Sequence, residues 1–355
     1  MATLKDIAER VGVSISTVSR VVNGDDSRRI SDETKRKIWQ AAKQLNYRAK
    51  PAQKSAAGAK RSPKHSAPLT IGCILSLPDN KYNHPYFSPI IQGIEAKLME
   101  EGITLAFLHT QAELKSGAVR EALMHDRALN GVICIEGMEP EMYRWLKERV
   151  PVIIGIDVAD PDIPIISYDR LDAARIAVRH LLELGHTDIG FIGGAGLLGR
   201  MEREKRYRGY KMALNEANCS FRSDWVIDAQ WDADRSYQGM KRLLERQERP
   251  TAMFCASDMM AIAAMRAATE LGLSIPRDIA FIGIDDIEFS KYSSPPLSSV
   301  HIPKYEMGYT AAKTLLDSLH QPYPYPFRML LPFHLQIRES SKAPERRAPA
   351  DGRRE

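Results

Sequence analysis

Seven short apolar runs punctuate the chain between residues 70 and 284: TIGCILSL (70–77), ITLAFLH (103–109), GVICI (131–135), PVIIGI (151–156), DIGFIGG (188–194), TAMFCA (251–256) and DIAFIGI (278–284). They lack the alternation of a half-solvated strand, so they read as parallel strands buried on both faces. Between them, apolar residues recur at helical spacing in 86–102, 172–185 and 258–272. Strand–helix alternation of this length predicts an α/β, doubly wound architecture. The size of each half points to two such subdomains with a cleft between them, where strand ends commonly hold a ligand.

The first fifty residues follow a different period. Thr3 and Asp6 have the spacing of a capping box, and Leu4, Ile7 and Ala8 form the apolar stripe of a first helix. Val11-Gly12-Val13 makes a tight turn. Ser14 caps a second helix over 15–22, with Val18, Val21 and Val22 inward and Ser16, Thr17, Ser19 and Arg20 outward. Asn23-Gly24 stops it. Ser31 caps a third helix carrying Ile38, Ala41, Ala42 and Leu45 on one face. Two short helices joined by a glycine turn and braced by a third form a helix-turn-helix, whose second helix fits the DNA major groove. A plain three-helix packing module has the same pattern.

Charge sharpens the DNA reading. The net charge is +5, but residues 1–64 hold 15 Lys and Arg against 6 Asp and Glu, whereas the remainder holds 35 against 39. A basic head of net +9 on a body of net −4 suits a polyanionic partner, although a solvated basic arm would show the same imbalance. Cys73, Cys134 and Cys255 sit inside apolar runs and Cys219 stands apart, so free thiols are expected rather than a metal site. No cofactor motif is anticipated. The N-terminus lacks a signal-peptide pattern and no apolar run reaches membrane-spanning length, which predicts a cytoplasmic protein without a membrane partner. Residues 49–68 are rich in Lys, Ala, Ser and Pro and form a linker between a head (1–48) and a body (69–340), with a disordered tail over 341–355.

The runs 4–24, LKDIAERVGVSISTVSRVVNG, and 30–49, ISDETKRKIWQAAKQLNYRA, resemble the DNA-binding head of the lactose repressor family. The resemblance implies a homodimer that reads a near-palindromic operator, one head per half-site. It places Ile15, Ser16 and Arg20 at base edges and Thr3, Ser14, Thr17, Ser19 and Asn23 near phosphates. In that family the linker forms a hinge helix whose leucine wedges into the minor groove; here Ser55 and Ala56 stand at the leucine position and Pro51 precedes them. A weaker wedge and weaker operator bending follow.

The body resembles the same family's effector domain, which shares its fold with periplasmic sugar-binding proteins. The segments 84–95, 180–194, 206–214, 254–286 and 294–308 carry the likeness. It implies an N-subdomain of about 69–168 and 301–329 and a C-subdomain of about 169–300 and 330–340, joined by three crossovers. It also implies a sugar or glycoside effector contacted by Arg206, Asp285, Ser257 and Trp231, with His84, Tyr86, Asp157 and Tyr168 nearby. Each has a plainer reading: exposed helix arginine for Arg206, helix cap for Asp285, Asp286 or Asp258, and core aromatic for Trp231. The function implied is a repressor of carbohydrate-utilisation genes. An activator, or a regulator answering to a phosphoprotein co-repressor, fits the same residues. The spacing Gly194-Ala-Gly196-Leu-Leu-Gly199 admits a nicotinamide-dependent oxidoreductase, but Arg203, Lys205, Arg206 and Arg208 follow where a ribose-binding acid is wanted. No nucleophile elbow, HExxH or Walker loop is present, which predicts a non-enzyme.

Overall fold

The computed structural model describes residues 3–23, 30–45, 69–76, 83–125, 129–196 and 199–342. The chain separates into two compact units, residues 1–66 and 67–355. The first holds α1 (Leu4–Val11), α2 (Ile15–Asn23) and α3 (Asp32–Gln44). Thr3 and Asp6 form a reciprocal capping box, with Asp6 N–H donating to Thr3 Oγ1 and Thr3 N–H to Asp6 Oδ2. Gly12, at φ 73°, makes the left-handed turn that a side chain would strain. Ile7, Val18 and Ile38, one from each helix, are fully buried and close a small apolar core. Linker residues 49–68, with Ser55 and Ala56, lie outside the described residues.

The second unit contains two parallel layers. In chain order its first stretch is β1 (Ile71–Leu75), α4 (Phe87–Glu100), β2 (Leu105–Thr110), α5 (Gln111–Leu114), α6 (Gly117–His125), β3 (Gly131–Ile135), α7 (Pro140–Lys147), β4 (Val152–Ile156) and β5 (Ile165–Ser167). There follow α8 (Arg170–Glu183), β6 (Ile189–Gly193), α9 (Lys205–Glu216), β7 (Val226–Asp228), α10 (Ala233–Leu244), β8 (Ala252–Cys255), α11 (Asp258–Glu270), β9 (Ala280–Asp285) and β10 (Ser298–His301). The chain ends in α12 (Lys304–His320), β11 (Arg328–Leu330) and β12 (His334–Gln336). One six-stranded sheet has the order β11-β5-β4-β3-β1-β2, the other β12-β10-β9-β8-β6-β7. Both are parallel except for the β10–β12 pair.

The seven apolar runs form β1, β2, β3, β4, β6, β8 and β9, and β1 and β3 are buried at every position, as strands covered on both faces must be. Between the sheets the chain passes three times: after β5, between β10 and α12, and between β11 and β12. In each sheet the strand order reverses once, between β1 and β3 and between β6 and β8. A crevice opens at such a reversal beyond the carboxyl ends of the strands. Ser341, expected to open the disordered tail, is instead 1 % exposed and bonds His180 and Ser298. Residues 343–355 lie outside the described residues. No helix among the described residues is long and apolar enough to cross a membrane.

Candidate functional site

In the head, Ser14 Oγ accepts from Thr17 N–H at the start of α2 and lies 2.8 Å from both Ser16 Oγ and Thr17 Oγ1. This hydroxyl cluster stands at the leading turn of the second helix, where an approaching phosphate would find donors. Ile15 is 49 % exposed, large for an isoleucine, and Ser16 is exposed beside it. Thr17, Ser19 and Arg20 are half-buried rather than fully outward, because the helix leans on Val18 and Val21. Thr3 is exposed, while Asn23 ends the helix with its side chain outside the described residues.

In the body, backbone strain marks the site. Among the described residues seven non-glycine residues have positive φ, and six lie at or just beyond the carboxyl ends of strands: Glu136 (64°), Asp157 (57°), Gln230 (53°), Trp231 (62°), Asp285 (117°) and Asp286 (49°). Such conformations cost about 1–3 kcal/mol each and persist where the surroundings impose them, commonly at ligand sites.

On the first sheet's side, Asp157 collects several partners. Tyr86 Oη donates to its Oδ2 (3.3 Å), Ser167 Oγ donates to its Oδ1, and Arg170 Nη2 lies 3.0 Å from Oδ2. The same Arg170 nitrogen donates to Glu136 Oε1 at 2.5 Å. Burial raises the Glu136 carboxyl while Arg170 opposes that rise. Tyr168 is 1 % exposed, and its hydroxyl and Arg170 Nε are buried without a hydrogen-bond partner among the described residues.

On the second sheet's side, Arg206 is buried in the first turn of α9. Its Nε donates to Glu204 Oε1 at 2.9 Å, and its guanidinium lies 4.2 Å from the Trp231 ring centroid. Asp285 is 6 % exposed, and burial together with Asp258 pushes its carboxyl up to about 8 against the pull of Lys304. Burial raises the Tyr168 phenol, with Arg206 and Arg170 opposing the rise and Asp157 and Asp285 adding to it.

Tyr86 is thus bonded to Asp157 and Arg206 is stacked on Trp231, while Tyr168 and Asp285 are buried. His84 and Ser257 are engaged locally: His84 Nδ1 accepts from Tyr86 N–H (3.2 Å), and Ser257 Oγ caps α11 by accepting from Met260 N–H (3.4 Å). Of the alternatives beside Asp285, Asp286 is held by Arg338 and His301. Asp258 accepts from Ile287 N–H, Ser290 and Ser299, so it ties α11 to the next loop and to β10. Sequence reasoning passed over Glu136, Arg170 and Glu204. The signal for Glu136 was an acid directly after an apolar run, a position helix caps also occupy. The glycine spacing 194–199 has a packing role: a Cβ on Gly194 would come within 2.8 Å of Trp231 N, and one on Gly196 within 3.0 Å of its indole nitrogen. These glycines let the loop lie against the Trp231 turn.

Residues 3–50 match the model for bacterial regulatory proteins of the lacI family, and residues 178–341 match a periplasmic binding protein-like domain. The HTH-type transcriptional repressor PurR of Yersinia enterocolitica is 33 % identical over 358 residues, covering 99 % of this chain and 98 % of that protein. The chain belongs to the LacI family. A second relative, PurR of Actinobacillus pleuropneumoniae, is 31 % identical and covers 96 % of this chain and 100 % of its own length. Among solved structures, the regulator CelR in complex with cellobiose aligns with TM-score 0.67 at 26 % identity, over 96 % of this chain and 100 % of that one. The lac repressor dimer bound to operator and the anti-inducer ONPF aligns with TM-score 0.66 at 28 % identity, over 96 % and 99 %. This LacI-family protein is therefore a DNA-binding transcriptional repressor with an effector-binding domain.

Proposed function

We propose that this LacI-family chain acts as a homodimer on a near-palindromic operator and takes a neutral sugar or glycoside as effector. Ile15, Ser16 and Arg20 would meet base edges, and Thr3, Ser14, Thr17, Ser19 and Asn23 would meet phosphates. The observation that carries the effector reading is internal charge pairing: Arg170 with Glu136 and Asp157, and Arg206 with Glu204. A ligand entering such a site need bring no charge, and its hydroxyls can both donate and accept along these pairs. Trp231 adds an aromatic face for a sugar ring. The lac repressor and CelR likenesses support this class. The PurR relatives support a second occupant, a free purine base stacked on Trp231.

Binding of effector would favour one cleft form by differential contacts and so alter how two heads address two half-sites. A coupling of about 1–3 kcal/mol changes operator affinity roughly 5- to 150-fold. A DNA partner supports a cytoplasmic location. The test is fluorescence anisotropy on DNA from upstream of its own gene, at fixed salt, with cellobiose, lactose, galactose and ribose against adenine, guanine and hypoxanthine. One sugar shifting the binding curve supports the sugar reading; a purine shifting it instead replaces that reading. Arg206→Ala should bind operator normally and lose the response, and a full response in that variant would refute the pocket assignment.

A further inference from the structure

Arg170 joins the two layers of the body. It opens α8, which packs on α9 and β9 of the second layer, whereas its carboxylate partners follow β3 and β4 of the first. Its side chain is 14 % exposed and that of Asp157 only 2 %. Both partners, Glu136 and Asp157, hold left-handed backbone to present their carboxylates. That combination of strain and buried charge is a poor way to gain stability, since apolar packing would serve as well. The ion cluster also leaves two donors over. Arg170 Nε and the Tyr168 hydroxyl are buried without acceptors among the described residues, in the field of Arg206 and Asp285.

We propose that Arg170 is a positioning residue that latches the cleft, held by Glu136 and Asp157, and that an effector strengthens the latch by offering oxygen acceptors to Arg170 Nε–H and the Tyr168 hydroxyl. The latch rests on reading this cleft as the effector site. An effector shifts the open–closed balance only through contacts that differ between the two forms, and these two donors supply such contacts. The ligand class that fits is one rich in acceptor oxygens on adjacent carbons, which a pyranose or furanose provides.

The test measures closure without any effector. Full-length protein carrying Cys219→Ser receives nitroxides at Glu141→Cys, in the first turn of α7, and Asp234→Cys, in the first turn of α10, and pulsed electron spin resonance reads their separation. Arg170→Gln should lengthen the mean distance by more than about 2 Å and broaden it. Arg170→Lys should keep part of the closure. Because Arg170→Gln strands two carboxylates, the triple variant Arg170→Gln/Glu136→Gln/Asp157→Asn serves as a second probe with no unpaired charge, and should open equally. An unchanged distance in the folded triple variant overturns the latch. Opening in these variants, with no sugar or purine affecting operator binding, keeps the latch and removes the effector reading. A sugar response with unchanged distances does the reverse.

Discussion

Asp285 combines a buried carboxylate with a left-handed backbone, and Lys304 donates beneath it to its own carbonyl. With its carboxyl pushed up to about 8, the native chain holds a proton that the unfolded chain, titrating near 3.8, has released. By linkage Asp285 therefore stabilises the fold most at low pH and loses that contribution as pH rises from about 4 to about 8. Asp258, pushed up to about 6, acts in the same sense over the lower part of that window. The buried His180 and the half-buried His84 and His186, all lowered by desolvation, oppose it below about 6.5, so a difference between variants is the clean reading. Urea midpoints at pH 6 and pH 8.5 should converge in Asp285→Asn compared with the parent chain; identical pH slopes would refute the assignment. In the head, Ser14→Ala removes the cap of α2 and should cost about 1 kcal/mol of head stability, read by thermal melting of a 1–48 fragment alongside the full chain. Resemblance pointed to Arg206 and Asp285 from the sequence. Glu136 and Arg170 were not legible there, because a charged residue after a strand or at a helix start looks the same whether it caps, pairs or binds.

Helix α12 shows what an element contributes. It lies on α4 with the backbones in near contact: a Cβ on Gly308 would fall 1.9 Å from Ile90 O, and one on Gly93 would fall 2.0 Å from Tyr305 O. Neither neighbour can yield, since both are main-chain carbonyls inside helices. Gly308→Ala should therefore cost about 3 kcal/mol or more, seen as a lower urea midpoint of the body, and a loss below about 0.5 kcal/mol would contradict this packing. Long buried strands were visible in the sequence because an unbroken apolar run bounded by turn residues must hide both of its faces from water. The three-residue strands β5, β7, β11 and β12 were not, since so short a segment carries no period. Strand β10 escaped for another reason. Its Ser298 and Ser299 are fully buried, which polar side chains tolerate only when bonded, and they bond Ser341, Arg338 and Asp258 from distant parts of the chain.

For the whole molecule, the proposed dimer makes a simple prediction. Sedimentation should give twice the chain mass, and two chains per operator duplex. Large apolar side chains left exposed, among them Met99 (71 %), Phe289 (60 %) and Tyr292 (76 %), give such an assembly surface to cover. Destroying one operator half-site should weaken binding far more than tenfold, because the second head then loses its effective concentration; a loss of only twofold would argue for independent heads. The sequence by itself determined the helical head, the α/β class of the body and the family, because each rests on local periodicity or on contiguous motifs. Resemblance also pointed to Arg206 and Asp285, both of which are buried in the second layer. Only the tertiary structure decided which charges neutralise which, why six residues accept left-handed backbone at strand ends, and that Arg170 ties one layer to the other. The two Arg170 pairs depend on distances between residues that lie 13 and 34 positions apart in the chain, and no local pattern encodes such a distance.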